Sequence, residues 1–288
     1  MHCKVLIILI SLFGGSILCC QDTLFIPTPA IRWSMTLAQS AVRDWKKGEN
    51  SSIEFNNLFD ITQLVKYDKL NFSFNLKADL GFTNISDKLL MKEYLVPKNN
   101  LLYGEGKVKY SLGWKVDPFF MASFRTQIVT AFIFNKTDYV KSADLWDPVE
   151  SLETWGFEYS LANNDLNFTS NIGFTLRQVR SKLYNMMTDD YKTPAVKERY
   201  KAENGVRWKS TFFIKLDSAN CNNYKTTLDV FGTFDDLTVW NFIWENDLKF
   251  AIWKSFGFLI RLSLVNDLRQ MKKLQYNQSL SFGLIFDL

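Results

Sequence analysis

Histidine and cysteine are nearly absent from this sequence, and both are concentrated at its start. The single histidine is His2, and three of the four cysteines are Cys3, Cys19 and Cys20, which leaves only Cys221 further along the chain. A Ser-His-Asp or Cys-His site needs an imidazole, and zinc sites need imidazoles or paired thiolates. If the first segment is removed as a signal peptide, the mature chain has no histidine and one cysteine, which cannot form a disulfide within the chain. We therefore expect no enzymatic activity, no metal and no cofactor; a histidine-free enzyme built on aspartates is the alternative.

Long apolar runs are missing from the chain after its first 20 residues. No stretch there approaches the roughly 18 consecutive apolar residues that a membrane-spanning helix needs. At the start, Lys4 precedes an apolar run over residues 5–18, and polar sequence begins at Gln21. This pattern predicts a signal peptide over residues 1–20, cleaved near Cys20, and one mature domain over residues 21–288. A lipid-modified Cys19 or Cys20 and an uncleaved N-terminal anchor are the alternatives.

Charge of one sign is not in large excess either. The formal net charge is +4, and the basic residues are interleaved with acidic ones along the chain. Such a balance gives no surface for binding nucleic acid. With 47% hydrophobic and 16% aromatic residues, the chain is able to bury a core as a single domain.

What the sequence does have is a two-residue alternation of apolar and polar residues. Over residues 70–82 every even-numbered residue is apolar, whereas the odd-numbered ones are polar, charged or glycine. The same pattern recurs along the chain and predicts about twelve strands. Most of these segments reach the roughly 9 to 11 residues with which a tilted strand crosses a bilayer.

The predicted connections between strands alternate in length. Short links follow every second strand, whereas long links follow the third, fifth and seventh strands, at residues 84–101, 133–152 and 177–203. Outer-membrane barrels have short periplasmic turns and longer extracellular loops. The sequence therefore predicts an all-β, up-and-down antiparallel transmembrane β-barrel of about 12 strands, with both termini in the periplasm.

A soluble β-sandwich or a lipocalin-like barrel would show the same alternation with its apolar face turned inward. The export signal favours the membrane, and so do aromatic residues predicted near strand ends, at headgroup depth. These are Trp114, Trp155, Trp240, Trp253 and Phe256.

Glycosylation sequons indicate the kind of cell. Those at Asn71, Asn167 and Asn277 fall inside predicted strands, where a bulky glycan would block pairing or fill the interior. A bacterial route without general sequon glycosylation avoids this conflict. We therefore expect Sec-type export to the outer membrane of a Gram-negative bacterium.

The polar face of the strands should line the lumen, because an Arg or Lys facing lipid near the midplane would cost about 2 to 4 kcal/mol. An excess of cations on this face would give an anion-preferring lumen; alternatively, opposite charges pair and plug the interior. The residues predicted to line the lumen are Lys77, Asp79, Glu105, Lys107, Lys109, Arg125, Arg207, Lys209, Asp229, Glu245, Asp247, Lys249 and Arg261.

One short motif lies between the first two predicted strands. Residues 41–52 read Ala-Val-Arg-Asp-Trp-Lys-Lys-Gly-Glu-Asn-Ser-Ser. This motif resembles the Trp, Gly, acid, Asn and Ser pattern of an uncharacterised family of Bacteroidetes outer-membrane proteins, the domain of unknown function 3078. The family has two glycines where this chain has only Gly48, and the resemblance implies a barrel without known activity. Trp45, Gly48, Glu49 and Asn50 would form a tight turn, in which Gly48 is able to take a positive φ.

These patterns together predict an outer-membrane channel or transport porin for small solutes. The alternative is a structural or adhesion barrel whose long loops, such as residues 84–101 or 177–203, bind a partner. The expected partners are outer-membrane lipid, a small solute in the lumen and the barrel-assembly machinery.

Overall fold

A computed structural model describes residues 24–43, 52–87, 92–135, 138–182, 188, 196–217, 222–236, 240–253, 255–266 and 274–287. Its strands are β1 (Leu24–Phe25), β2 (Ala30–Arg43), β3 (Ser52–Tyr67), β4 (Leu70–Asp87), β5 (Lys92–Tyr110), β6 (Val116–Thr126), β7 (Ala131–Asn135), β8 (Asp138–Ala143), β9 (Val149–Ala162), β10 (Leu166–Arg180), β11 (Tyr200–Lys215), β12 (Asn223–Thr233), β13 (Trp240–Trp253), β14 (Phe256–Asn266) and β15 (Gln275–Asp287). Among these residues, no helix is long and apolar enough to cross a membrane.

Twelve of the strands close into one antiparallel barrel. Its order is β2, β3, β4, β5, β6, β9, β10, β11, β12, β13, β14 and β15, and β15 pairs back onto β2. Sequential strands are therefore neighbours throughout, apart from β7 and β8, which form a separate hairpin. β1 adds one short pairing to the end of β3. The predicted fold class and strand number are confirmed.

The apolar face of the barrel points outward. Phe72, Trp244 and Phe282 lie on β4, β13 and β15 and are 40%, 39% and 39% exposed, whereas the inward-facing Asp79 and Arg207 are buried. A soluble sandwich or a lipocalin-like barrel would bury the first set instead. A closed barrel with this belt satisfies its backbone groups internally and meets hydrocarbon with apolar side chains. The protein is thus a membrane-spanning β-barrel.

Three tryptophans of the outward face donate their indole N–H to a side chain on the neighbouring strand. Trp33 donates to Asn57 Oδ1 at 3.0 Å, Trp208 to Ser170 Oγ at 3.0 Å and Trp244 to Thr226 Oγ1 at 2.9 Å. Hydrocarbon offers no partner for a polar group. The polar residues that interrupt the apolar alternation therefore satisfy indoles that face the lipid.

The aromatic residues predicted near strand ends lie there with one exception. Trp114 lies in the β5–β6 turn, Trp253 and Trp240 end and begin β13, and Phe256 begins β14. Trp155 lies near the middle of β9, so this part of the prediction was wrong. There it packs beside Phe120 and Phe174 of the two adjacent strands, with ring centroids 5.3 and 6.1 Å away.

The end of the barrel at which β2 begins, here called the short-turn end, has the short connections predicted. Residues 68–69, 111–115, 163–165, 216–222 and 254–255 link the strands there. Asp68 takes a positive φ of 49° in the first turn, which aspartate tolerates because its side chain bonds local backbone.

The opposite end, the loop end, differs from the prediction in detail. Residues 84–101 are mostly strand, because β4 continues to Asp87 and β5 begins at Lys92, with a register shift between Gly81 and Phe82. Beyond the bilayer a backbone ladder needs no apolar alternation, so the pattern that marks strands in lipid stops before the strands do. The predicted loop 177–203 is likewise shortened to residues 181–199, which lie between β10 and β11.

The fifth strand was predicted to run from Phe120 to Phe132, and its predicted end was wrong. β6 ends at Thr126, and the link to β9 contains the β7–β8 hairpin. The Asn100 Oδ1 accepts hydrogen bonds from the amides of Ile128 and Val129 at 2.7 and 3.0 Å. Those amides are therefore withdrawn from the sheet ladder.

Two predicted features lie outside the described residues. One is the signal peptide over residues 1–20. The other is the motif turn with Trp45, Gly48, Glu49 and Asn50, which falls in residues 44–51.

Candidate functional site in the barrel lumen

The inward faces of the strands follow from the register. In the strand register Lys77 lies opposite Asp60 on β3 and Tyr103 on β5, and these positions alternate with the lipid-facing ones. Continued around the barrel, the register places every residue predicted to line the lumen on the inward face, including Arg125, Glu245 and Lys249.

One ion pair spans the lumen between strands that are not neighbours. Lys209 on β11 lies 2.6 Å from Glu105 on β5, although β6, β9 and β10 separate these strands in the sheet. Tyr103 donates its hydroxyl hydrogen to the same carboxylate, and the Lys209 ammonium lies 5.9 Å from the Tyr103 ring centroid. We call the Glu105–Lys209 pair the first bridge.

A second ion pair spans the lumen on the other side. Arg261 Nη1 on β14 lies 3.3 Å from Asp79 Oδ2 on β4, with β15, β2 and β3 between the two strands. The same guanidinium donates from Nε to Asp247 Oδ1 on the adjacent strand β13 at 2.8 Å. We call the Asp79–Arg261 pair the second bridge.

The lumen wall behind each bridge is filled. Behind the first bridge, Thr154 and Thr175 are 1% and 0% exposed, and their hydroxyls are 2.9 Å apart. Behind the second bridge, Thr36, Ala38 and Ser281 are also buried. The wall behind the first bridge also carries the longer buried side chains of Met121, Glu158 and Arg177.

Between the two bridges lies a part of the lumen that water reaches, here called the central passage. Its walls are β4 and β5 on one side and β11 to β14 on the other. The Asp247 side chain is 30% exposed and that of Asp229 is 21% exposed. Lys225 is exposed although its register places it on the inward face. A charged group keeps much of its hydration in such a passage, whereas full burial would cost several kcal/mol per ion.

The cations expected to make the lumen anion-preferring are locally compensated. Lys107 and Lys109 both bind Glu158, and the Lys109 ammonium is 3.0 Å from its carboxylate. Arg207 forms a bidentate salt bridge with Asp229, with N···O distances of 2.8 and 2.6 Å. Lys209 forms the first bridge. These four residues therefore provide no unpaired positive patch.

Sequence reasoning missed the acidic residues of β9. Glu158 binds Lys107 and Lys109, and Glu150 accepts a hydrogen bond from Arg177. Strand β9 faces the lumen with its even-numbered residues, unlike the strands on either side. The signal was present, because its odd-numbered residues Trp155 and Phe157 are the apolar ones.

The loop end holds a smaller polar cluster. Asp147 is buried and accepts hydrogen bonds from the Ser181 hydroxyl at 2.9 Å and the Lys182 amide at 2.8 Å. These contacts join the β8–β9 connection to the β10–β11 connection. In the described part of the chain, no group of three or more His, Cys, Asp or Glu side chains is arranged to hold a metal ion.

Asp144, the first residue after β8, gives a prediction of pH dependence. Hydrogen bonds from the Lys141 ammonium at 2.5 Å, the Thr130 hydroxyl at 2.7 Å and the Leu145 amide at 3.0 Å lower the pKa of its carboxyl from 3.8 to about 2. Because the folded pKa is the lower one, these contacts support the loop fully above pH 3.8 and fail as the pH falls through about 2.

Carbon-detected NMR of the folded barrel in detergent micelles checks this. The Asp144 carboxyl should titrate near pH 2, and Lys141→Met should move its midpoint upward. A midpoint at the ordinary value of 3.8 in both proteins would contradict the prediction.

The sequence and fold were compared with known proteins. Residues 37–132, which include β3 to β6, match the family described as protein of unknown function (DUF3078). The chain is similar to that family over this span, which confirms the resemblance predicted from residues 41–52. No curated protein matches the sequence significantly.

Solved structures with a similar fold include outer membrane phospholipase A from Escherichia coli, with 7% identity and a TM-score of 0.42 over 93% of this chain and 94% of that one. An outer-membrane channel from Pseudomonas putida matches with 10% identity and a TM-score of 0.36, covering 95% and 99% of the two chains. The β domain of a Bordetella autotransporter matches with 12% identity and a TM-score of 0.34, covering 91% and 99%.

Proposed function

We propose that this protein is a bacterial outer-membrane channel through which small polar solutes pass between the two ion-pair bridges. The observation that carries the proposal is the water-accessible set of charges inside a barrel whose outer face is apolar. A barrel that served only as a scaffold would gain more from apolar packing of its interior, since buried ion pairs seldom add stability.

The orientation is part of the proposal. The short-turn end faces the periplasm and the loop end faces outward, as in other barrels of this architecture. Export by a Sec-type signal over residues 1–20 and insertion by the barrel-assembly machinery complete the route. No enzymatic step is part of this proposal, because a Ser-His-Asp or Cys-His site needs an imidazole and His2 is the only histidine in the chain.

The bridges give a direct test. Glu105→Ala combined with Lys209→Ala removes the two side chains that span the lumen on one side. Because conduction depends on the width and charge of the constriction, we expect a several-fold rise in single-channel conductance in planar bilayers. Tyr200→Phe, which changes a lipid-side residue at the loop end, is the control and should conduct like the wild type.

Each protein must first show the sheet circular dichroism spectrum and the heat-shifted gel mobility of a folded barrel. If the folded wild type and the double variant are both silent, the channel proposal is wrong. If the wild type conducts and the double variant does not exceed it, the first bridge does not narrow the path.

A second candidate is a barrel that binds a partner at the loop end. Leu145 and Trp146 are 56% and 52% exposed there, on a connection that Asp147 anchors to its neighbour. Binding to outer-surface material that is lost in Leu145→Ser with Trp146→Ser, in a barrel that does not conduct, would favour this candidate over the channel.

A further inference from the structure

Two lysines that face the central passage from opposite walls have no carboxylate in contact within the described part of the chain. Among the residues that the structure describes, Lys77 on β4 and Lys225 on β12 have neither a hydrogen-bond partner nor an ion-pair partner. Other lumen cations hold a carboxylate within 4.0 Å, namely Lys107, Lys109, Arg177, Arg207, Lys209 and Arg261.

The two lysines reach the same space from opposite walls. Strands β4 and β12 are six steps apart in the twelve-stranded ring, which is the largest separation it allows. Lys77 is two residues from Asp79, and Lys225 lies opposite Asp247 in the strand register; both of these carboxylates bind Arg261. Both ammonium groups therefore lie in the central passage, between the two bridges.

The nearest carboxylates are held by other donors. Asp60 Oδ1 accepts a hydrogen bond from Asn75 Nδ2 at 2.6 Å. Asp247 Oδ1 accepts one from Arg261 Nε at 2.8 Å. Asp79 takes part in the second bridge. The arrangement thus leaves two ammonium groups on facing walls without a carboxylate in direct contact, and a mobile anion is able to bind both.

We propose that Lys77 and Lys225 form an anion-binding site in the central passage, which takes small solutes bearing a carboxylate or a phosphate group. The site rests on the proposed channel function, because the solute enters through the lumen. Two ammonium groups on opposite walls contact one anion at once, and the reduced dielectric of the passage strengthens each contact relative to bulk water.

The site also determines where along the lumen an anion binds. Paired cations such as Lys107 attract an anion only at the expense of their own carboxylate, whereas Lys77 and Lys225 have none to displace. An anion therefore loses less of its binding energy to competition at this level of the barrel than at either end.

Calorimetric titration of the folded protein in detergent at low salt tests the site without requiring conduction. Succinate and inorganic phosphate are the two probes, and we expect saturable binding of at least one of them. Lys77→Met and Lys225→Met should each weaken it by about tenfold or more, since each removes one of two charge contacts. The double variant should show no binding.

Lys197→Met is the matched control, because it removes the same charge from an exposed position at the loop end. It should bind the anions like the wild type. Lys77→Arg with Lys225→Arg keeps both charges and should retain binding. If a methionine variant fails the gel-mobility test for folding, Lys77→Gln with Lys225→Gln replaces it.

If only succinate binds, the site is specific for carboxylates; if only phosphate binds, it is specific for phosphates. If both bind, the site recognises negative charge without distinguishing the two groups. No saturable binding to the wild type, or undiminished binding to the double variant, overturns the site. Planar-bilayer recordings of the same samples separate the two proposals. If the barrel conducts but does not bind the anions, the channel proposal stands and the site is wrong. If it binds the anions but does not conduct, the site stands and the channel proposal is wrong.

Discussion

Replacing Arg177 with methionine is expected to lower the free energy of unfolding by about 3 to 5 kcal/mol, the range found when one partner of a buried ion pair is removed. Arg177 is buried on β10 and binds Glu150 on β9 and Glu203 on β11, the latter at 2.9 Å. Its guanidinium carbon also lies 5.9 Å from the ring centroid of Phe231. Methionine keeps part of that packing but leaves two carboxylates facing each other without a cation between them.

Urea unfolding of the barrel in lipid vesicles measures this loss. The matched control is Arg177→Met combined with Glu150→Gln and Glu203→Gln, which removes all three charges together. That triple variant should recover most of the stability, because neutral amides repel far less than carboxylates. Equal losses in the single and triple variants would mean that packing against Phe231, and not charge, holds this part of the lumen.

Replacing Ile172 with arginine is expected to cost about 2 to 4 kcal/mol, as for a cation on the lipid face near the midplane. Ile172 lies in the middle of β10, points outward and is 56% exposed, and Phe157 and Trp208 flank it on the adjacent strands. An arginine there would have to leave water for hydrocarbon, or else pull headgroups and water inward.

Tyr200→Arg is the control for that substitution. Tyr200 also faces outward, but it lies at the loop end, where its hydroxyl donates to Gln178 at 3.1 Å. Near the interface the same change should cost at most about 1 kcal/mol. If both variants lose equal stability in vesicles, the outward face around Ile172 does not contact the hydrocarbon core of the bilayer.

Alternation alone was enough to predict the barrel, because a strand between lipid and lumen has chemically opposite faces. In β4, the alternation of Phe72 and Phe74 with Ser73 and Asn75 gives both the strand and its orientation. The prediction weakened wherever this contrast was absent. In β6, inward-facing Phe119 and Met121 are apolar and buried, so both faces look alike in the sequence and the end of the strand was misplaced.

The lumen charges were found by the same rule, but their pairing was not. Alternation states which face Glu105 and Lys209 occupy, whereas their contact depends on how the ring closes and on which residues lie opposite each other. Strands that meet across the lumen are distant in the sheet order, and no local pattern records that distance. The unpaired state of Lys77 and Lys225 was beyond reach for the same reason.

The contact between β2 and β15 has a consequence for assembly. Arg32 to Arg43 pair with Tyr276 to Asp287, so nearly the whole sequence separates the two sides of this seam. Contacts of such long sequence separation form late, since loop closure must precede them. Until β2 and β15 pair, each presents a row of backbone amides and carbonyls without hydrogen-bond partners, and exposing such groups to hydrocarbon is costly. Entry strand by strand would expose both edges to hydrocarbon, so we expect the strands to cross the bilayer together as β2 and β15 meet.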